Sequence, residues 1–382
     1  SGSSYQAESK TGVPTFYSHV VFCGTGKFTE VEFKQKCSDI SVKISCRAGV
    51  DNLFFSMTAP RIVLKEAIEL FGMLMSSPTF EKDKVRKIQN EIGYSMQNYA
   101  ITPAETAFYT LAPALIFPSH IYKYGLHGNS EHFMKLSIDD LVKYKKKFLV
   151  IKNAEACICG NIDENEAVSL LNNVLRGIEK GEPAQDNIPD ISPQLTPKIT
   201  KYYVEGPQSV VIFILKNEKP LSSQKPAISI LYRILGEHSS FKSKIMSELR
   251  TKQGLIYGGT IIPVDLNHAN YAFGVLQTDN SKAQKAIESI KTIINKLREN
   301  GITPDELQFA KNNIKGTLLV RLRTSGELCQ FYFGKMLDGF KTNALSDYLE
   351  RTSKVTREEV NHQAKEILDE EKMSFILIGG NE

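Results

Sequence analysis

The chain has 382 residues, 41% hydrophobic and 24% charged, the composition of an ordinary globular protein rather than of a disordered one. Its 47 basic and 43 acidic residues leave a net charge of +4 dispersed along the chain, too weak to point to nucleic acid or an anionic membrane surface. No apolar run approaches the ~20 residues that span a bilayer, and the opening "SGSSYQAESKTG" is polar, without signal-peptide character.

In chain order, "GVPTFYSHVVFCGT" (12–25) reads as an apolar helix carrying His19, with Thr15 one turn before it and Ser18 directly before it. A single His between Ser18 and Val20 is more often packed than ligating. "GTGK" (24–27) lacks the spacing of a phosphate-binding loop. "ISCRAGVDNLFFSMTA" (44–59) alternates as strands do, and "LKEAIELFGMLMSS" (64–77) has helical spacing and stops before Pro78. Glu66 and Glu69 on that helix read as solvated charge. Glu91 sits in "KIQNEIGYSM" (87–96). His120, His127, Glu131 and His132 crowd into "SHIYKYGLHGNSEH", but their spacing fits no helix face, which predicts a solvated loop. "SIDDLVKYKKKFL" (137–149) has an acidic cap and a helical run. "CICGNID" (157–163) alternates as a strand, placing Cys157 and Cys159 on one face.

The stretch "GIEKGEPAQDNIPDISPQLTPK" (177–198) is polar, rich in Pro and without periodicity, which marks a linker. Beyond it, "ELRTKQGLIY" reads as a helix ending at Gly254, with Arg250 in its last turn and Tyr257 on the following strand. "YAFGVLQTD" (271–279) alternates as a strand. "TPDELQFAKNNIKGTLLVRL" opens with a capping pattern and Pro304 at the first helical position. The six cysteines (Cys23, Cys37, Cys46, Cys157, Cys159, Cys329) follow no metal-ligand or disulfide spacing and read as small apolar residues.

The chain repeats itself about 220 residues apart. "KEAIELFGML" (65–74) matches "QKAIESIKTI" (284–293), and "SIDDLVKYKKKFL" matches "TREEVNHQAKEIL" (356–368) at the same offset. "CICGNID" matches "ILIGGNE" (376–382). A repeat this long is a domain duplication. The expected organisation is a first domain at 1–177, a linker at 178–198 and a second domain at 199–382. Each domain is expected to be α+β, an antiparallel sheet with helices on one face.

These segments together resemble the insulinase/pitrilysin family of zinc metallopeptidases, the inverzincins, in the branch with two domains per chain that includes bacterial processing proteases and mitochondrial processing peptidase. The resemblance spans almost the whole chain and is carried by "ILGEHSSFKSKIMSELRTKQGLIYGG" (234–259), by residues 120–149 and by "GITPDELQFAKNNIKGTLL" (301–319). That family places one or two strands before its zinc helix, which implies a processed or trimmed chain here. Its zinc signature, H-x-x-E-H, puts two His ligands one turn apart and a general-base Glu between them, with a distant Glu as third ligand. The signature falls on Thr15, Ser18 and His19, and the distant ligand on Glu91. The resemblance therefore implies no zinc ligand set and no cofactor in this chain.

The second-domain signature is intact. In active members an Arg and a Tyr at the spacing of Arg250 and Tyr257 hydrogen-bond the substrate carbonyl and its developing oxyanion. From residue types alone a structural role is favoured for both. The match of the whole "ELRTKQGLIY" segment reverses that. The resemblance thus implies a non-catalytic subunit of a heterodimeric zinc peptidase acting on unfolded peptides, with Arg250 and Tyr257 serving the site of a zinc-bearing partner. The alternative is a structural or peptide-binding subunit without chemistry, as in the core subunits of the cytochrome bc1 complex. Export to the periplasm is the expected setting, with the mitochondrial matrix and the cytoplasm as the alternatives.

Overall fold

The computed structural model describes residues 1–98, 111–217, 223–339 and 343–380. Its contacts divide the chain into two compact units. One comprises Ser1–Ile101, Ser119–Ile188 and Thr324–Phe333. The other comprises Thr102–Pro118, Pro189–Arg323 and Gly334–Glu382. Both mix helices with sheet, the α+β class expected from the alternating and 3.6-period stretches.

In the first unit, helix α1 (Val13–Val20) and helix α2 (Glu30–Asp39) precede strands β1 (Lys43–Ala48) and β2 (Leu53–Thr58), then helices α3 (Leu64–Ser76), α4 (Lys82–Asn98), α5 (Ile138–Phe148) and α6 (Glu164–Leu175). β1 and β2 form an antiparallel hairpin in register from Lys43↔Thr58 to Ala48↔Leu53. The core forms around α1, whose Phe16, Tyr17 and Val20 pack with Leu74, Phe133, Leu141 and Tyr144. A smaller cluster joins Ile68 of α3 to Leu170 and Val174 of α6, with Met57 and Ile158 packed against it. The strand expected at 157–163 does not form: among the described residues this unit's sheet has two strands, and the run between Asn153 and α6 joins neither.

The second unit holds β3 (Ile199–Tyr202), β4 (Gln208–Asn217), helix α7 (Lys225–Leu235), β5 (Ile256–Asp265), β6 (Asn270–Asp279), helices α8 (Ala283–Asn300), α9 (Pro304–Arg321), α10 (Ser325–Leu337, whose first turns belong to the first unit) and α11 (Arg357–Ile367), and β7 (Ser374–Ile378). The sheet order is β3-β7-β4-β6-β5. Pairing is antiparallel except for β3 against β7, which is parallel. β4 is buried on both faces, as its near-continuous apolar run from Val210 to Leu215 requires. Val211, Phe213 and Leu215 pack under α7, α8 and α11, against Ile230, Ile287, Ile290 and Val360 among others. Phe213 faces Gly274 across the β4–β6 ladder, and its ring occupies the space a side chain at 274 would need.

Two of the three repeated segments build the same kind of element in both copies, and the third does so only in the second copy. "KEAIELFGML" lies in α3 and "QKAIESIKTI" in α8. α5 and α11 both open on a capping box, Ser137 with Asp140 and Thr356 with Glu359, each satisfying two otherwise orphaned N–H groups. The last repeated strand is β7; Asn381 and Glu382, which end that repeat, lie outside the described residues.

Candidate functional site

α1 is buried on every side except one. Val13 to Ser18 and Val20 are all buried, and His19 alone is open to solvent. A helix apolar all round belongs in a core. The residues at the ligand positions have turned their polar atoms inward. The Thr15 hydroxyl donates to the Leu126 carbonyl at 2.8 Å, and the Ser18 hydroxyl donates back to the Thr15 carbonyl at 2.8 Å. Such i−3 back-bonding spends the hydroxyl proton on the helix itself.

The loop that the sequence reads as solvated instead packs over the start of this helix. A Cβ on Gly12 would collide with Phe133 and the His127 carbonyl, and Gly128 takes a left-handed φ of +77° where it meets Gly12 and Thr11. His120 is buried, and its Nδ1 accepts from the Tyr122 N–H at 3.2 Å, capping a short turn. Backbone groups in a covered loop need such partners, which is why the imidazole is drawn inward. His132 Nδ1 lies 3.2 Å from the Glu8 carbonyl, and Glu131 pairs with Lys135 at 2.6 Å. His127 is half-buried, and burial, then the neighbouring His19, hold its pKa below the ordinary imidazole value. Packing around its base lowers His19 as well, so both rings are neutral at pH 7. The pairing of His19 with His127 carries no signal in the sequence, because the two lie far apart along the chain.

Glu91 is exposed on α4, 4.0 Å from the Lys87 ammonium, while Val85, Ile88 and Ile92 of the same helix pack inward. The residues at the zinc positions therefore do not fit a zinc ion. Among the described residues, no trio of His, Cys, Asp or Glu with ligand spacing includes His19 or Glu91. Two imidazoles fall short of the three protein ligands of a protein zinc site. We expect His19→Ala to leave the metal content of the purified chain unchanged; loss of zinc in that variant by elemental analysis would contradict this.

The Arg/Tyr segment has a different character. Ile245–Lys252 winds as a π-helix, a wide form that is rare and recurs at functional positions. It ends as the sequence predicts: Gly254, at φ +61°, donates to the Arg250 carbonyl at 3.1 Å, and Leu255 donates to the Leu249 carbonyl at 2.8 Å. Arg250, in its last turn, is exposed. Its guanidinium lies over the Phe241 ring at 5.2 Å, and among the described residues no carboxylate pairs with it. Its neighbour Lys252, by contrast, is bound to Glu248 at 2.7 Å.

Tyr257 occupies a bulge at the start of β5. Ile256 pairs with Thr278 and Gly258 with Gln277, so Tyr257 has no partner opposite it. A bulge re-aims the side chain it carries, and here it leaves Tyr257 49% exposed rather than in the core. The Tyr257 hydroxyl donates to the Asp279 carboxylate, which raises the Tyr257 pKa above the ordinary phenol value. Asp279 also binds Lys282 at 2.8 Å; with Lys282 the leading cause, its own pKa is lowered.

The cysteines correct the reading from spacing. Cys23 and Cys37 are buried in the core, as expected of small apolar residues. Cys157, Cys159 and Cys329 instead come together half-buried, all as free thiols. Burial, then the neighbouring sulfurs, push the Cys329 thiol up to about 12. Only the alternation of Cys157 and Cys159 hinted at this; Cys329 lies too far along the chain for spacing to reveal it.

Fold and site together define a peptidase-type scaffold whose zinc helix is a core helix and whose second-unit Arg and Tyr remain exposed. The comparisons place it. The model for the insulinase family (peptidase family M16) matches residues 1–114, and that for the peptidase M16 inactive domain matches residues 135–314. The chain belongs to the M16 (insulinase) family. It is 22% identical over 378 residues to the non-peptidase homolog YmxG of Helicobacter pylori, covering 99% of this chain and 86% of that protein. It is 21% identical over 192 residues to bovine mitochondrial cytochrome b-c1 complex subunit 1, covering 50% of this chain and 40% of that protein. The crystal structure of a peptidase M16 inactive domain from Pseudomonas fluorescens has the same fold, with a TM-score of 0.85 at 18% identity over 100% of this chain and 91% of that one. Among the described residues no helix is long and apolar enough to cross a membrane.

Proposed function

We propose that this chain is the non-zinc half of a two-chain zinc peptidase and lends Arg250 and Tyr257 to the active site of a zinc-bearing homologue. The observation that carries this is Arg250: an exposed guanidinium, oriented by stacking on Phe241, with no carboxylate to neutralise it among the described residues. With no carboxylate to occupy it, the fork of five donors stays available, which suits a carbonyl oxygen that gains charge. The π-helical turn and the bulge bracket the pair with two departures from regular backbone, each costly unless it positions something.

In this reading the partner supplies the zinc and the general base that activate water. This chain's part is electrostatic. Arg250 meets the substrate carbonyl, and its interaction strengthens as the oxyanion forms. Tyr257 has one donor proton, already given to Asp279. It can serve the oxyanion only by exchanging Asp279 for the substrate, so Arg250 carries the larger share.

The test is reconstitution. Alone, the chain should not cleave an unfolded reporter peptide, with or without added zinc, because no carboxylate stands at Ser18 to activate water. Mixed with an intact homologue it should form a complex that cleaves, in a chelator-sensitive way, faster than the homologue by itself. Chelator-sensitive cleavage by the isolated chain would sink the reading. A second reading, a binding or structural subunit without chemistry, draws on the similarity to the bovine b-c1 subunit. It predicts a complex whose rate does not depend on Arg250.

A further inference from the structure

Three sulfurs from distant parts of the sequence meet inside the first unit. Cys157 and Cys159 lie on the run between Asn153 and α6, and Cys329 in the second turn of α10. The Cys157 and Cys159 sulfurs are 4.0 Å apart, and all three lie within 4.8 Å of one another. A metal ion bound at about 2.3 Å by each of three sulfurs holds them roughly 3.8–4.0 Å apart. The trio therefore needs to close by less than about an ångström to match that geometry.

The surroundings hold the three in place. Ile158, between the two cysteines, packs against Ile68, Leu170 and Val174 and so anchors the run that carries both thiols. Above them α10 starts on a reciprocal cap, with the Glu327 N–H on the Thr324 hydroxyl at 3.2 Å and the Thr324 N–H on the Glu327 carboxylate at 3.0 Å. One turn past Cys329, Phe333 meets Phe54 of β2 edge-on at 6.2 Å. The Cys329 thiol points at the pair and donates to the Cys157 carbonyl at 3.4 Å. Because the run joins no strand, that carbonyl is left for a side chain to satisfy.

We propose that Cys157, Cys159 and Cys329 form a three-sulfur site for a soft, low-coordinate metal ion, copper(I). Thiolates select copper(I) and zinc among biological metals. Structural zinc almost always takes four protein ligands, and among the described residues no His, Asp or Glu joins this trio. Three sulfurs complete a copper(I) sphere and leave a zinc sphere open. Binding forms three Cu–S bonds, breaks three S–H bonds and releases three protons to water; no electron is transferred, since the metal enters as copper(I). The site is separate from the degraded zinc positions of α1 and does not depend on any role of Arg250.

The test is an anaerobic titration of the full, reduced chain with copper(I) in competition with bicinchoninate, with zinc(II) in parallel. We expect one copper per chain, a sulfur-to-copper absorbance in the near ultraviolet and a sulfur-only shell by X-ray absorption on the wild-type chain. Binding should be lost in Cys329→Ser and in Cys157→Ser/Cys159→Ser, and kept in the surface control Glu91→Gln. If a serine variant fails to fold, Cys329→Ala and the wild-type X-ray absorption still decide the matter. Copper binding that survives these substitutions would overturn the assignment. So would zinc displacing copper at equal concentration, or a disulfide among the three cysteines in anaerobically purified chain.

Discussion

In a complex reconstituted with a zinc-bearing homologue, Arg250→Ala should lower turnover by roughly 10²–10³, the usual cost of removing one preorganised oxyanion donor. Assembly should be unchanged, because the guanidinium is exposed and its contact in the chain is the Phe241 ring. KM should move less than kcat, since the lost interaction grows only as charge develops. Arg250→Lys should recover part of the rate, because an ammonium keeps the charge without the planar fork. Tyr257→Phe should cost less than Arg250→Ala, because in the free chain that hydroxyl is already spent on Asp279. The measurement is steady-state cleavage of an unfolded peptide by complexes of equal, verified stoichiometry. Wild-type rates for both Arg250→Ala and Tyr257→Phe would make the two residues structural and favour the binding-subunit reading.

The largest effect on stability is expected at the crossing of β4 and β6. Phe213 is fully buried, stacks near Phe375 at 6.2 Å and lies over Gly274, its cross-strand partner. Phe213→Ala removes that ring from the centre of the sheet and should destabilise the chain by about 3–5 kcal/mol. Gly274→Ala acts from the other side: a Cβ there would stand 1.8 Å from the Phe213 ring, so the ring must move. Overpacking of this kind costs about 1–3 kcal/mol, and more where nothing can shift. The two changes relieve one another, so the double variant should be more stable than the sum of the singles by about 0.5–3 kcal/mol. Denaturant titration of all four chains closes this cycle. Strict additivity would mean that the ring and the glycine do not share the space.

What could be read from residues and what could not follows from how local each signal is. Caps were legible because Ser137, Thr303 and Thr356 act on groups three residues away, and all three form the reciprocal bonds their sequences imply. The end of the Arg250 helix was legible because Gly254 supplies a left-handed residue. The missing strand at 157–163 was not, because alternation predicts a face and says nothing of whether a neighbouring strand is there to pair with it. The loop around His120 looked solvated because its residues are polar; what covers it, the Glu8 carbonyl at His132 and the Thr11–Gly12 backbone at Gly128, is reached only in the fold. The same limit hid the third cysteine, the bulge under Tyr257 and the π-helical turn. The cysteine trio and the bulge are relations between segments, of which a linear pattern records only one side, and the π-helical turn shares its apolar spacing with an ordinary helix.

The order of the five-stranded sheet also bears on how the chain is made. β7 lies far along the sequence from β3 and β4, yet it enters between them. Until Ser374–Ile378 emerges, β3 has no strand to pair with, and β4 offers a long apolar strand with one open edge. Open edges of that kind recruit other chains, and pairing across so long a stretch of sequence closes slowly. The nascent protein therefore waits, with its stickiest strand half covered, for a segment far along the sequence from β4. A chain cut before residue 374 would keep the β4–β6–β5 ladder and leave that edge of β4 open, so it should aggregate where the longer chain does not.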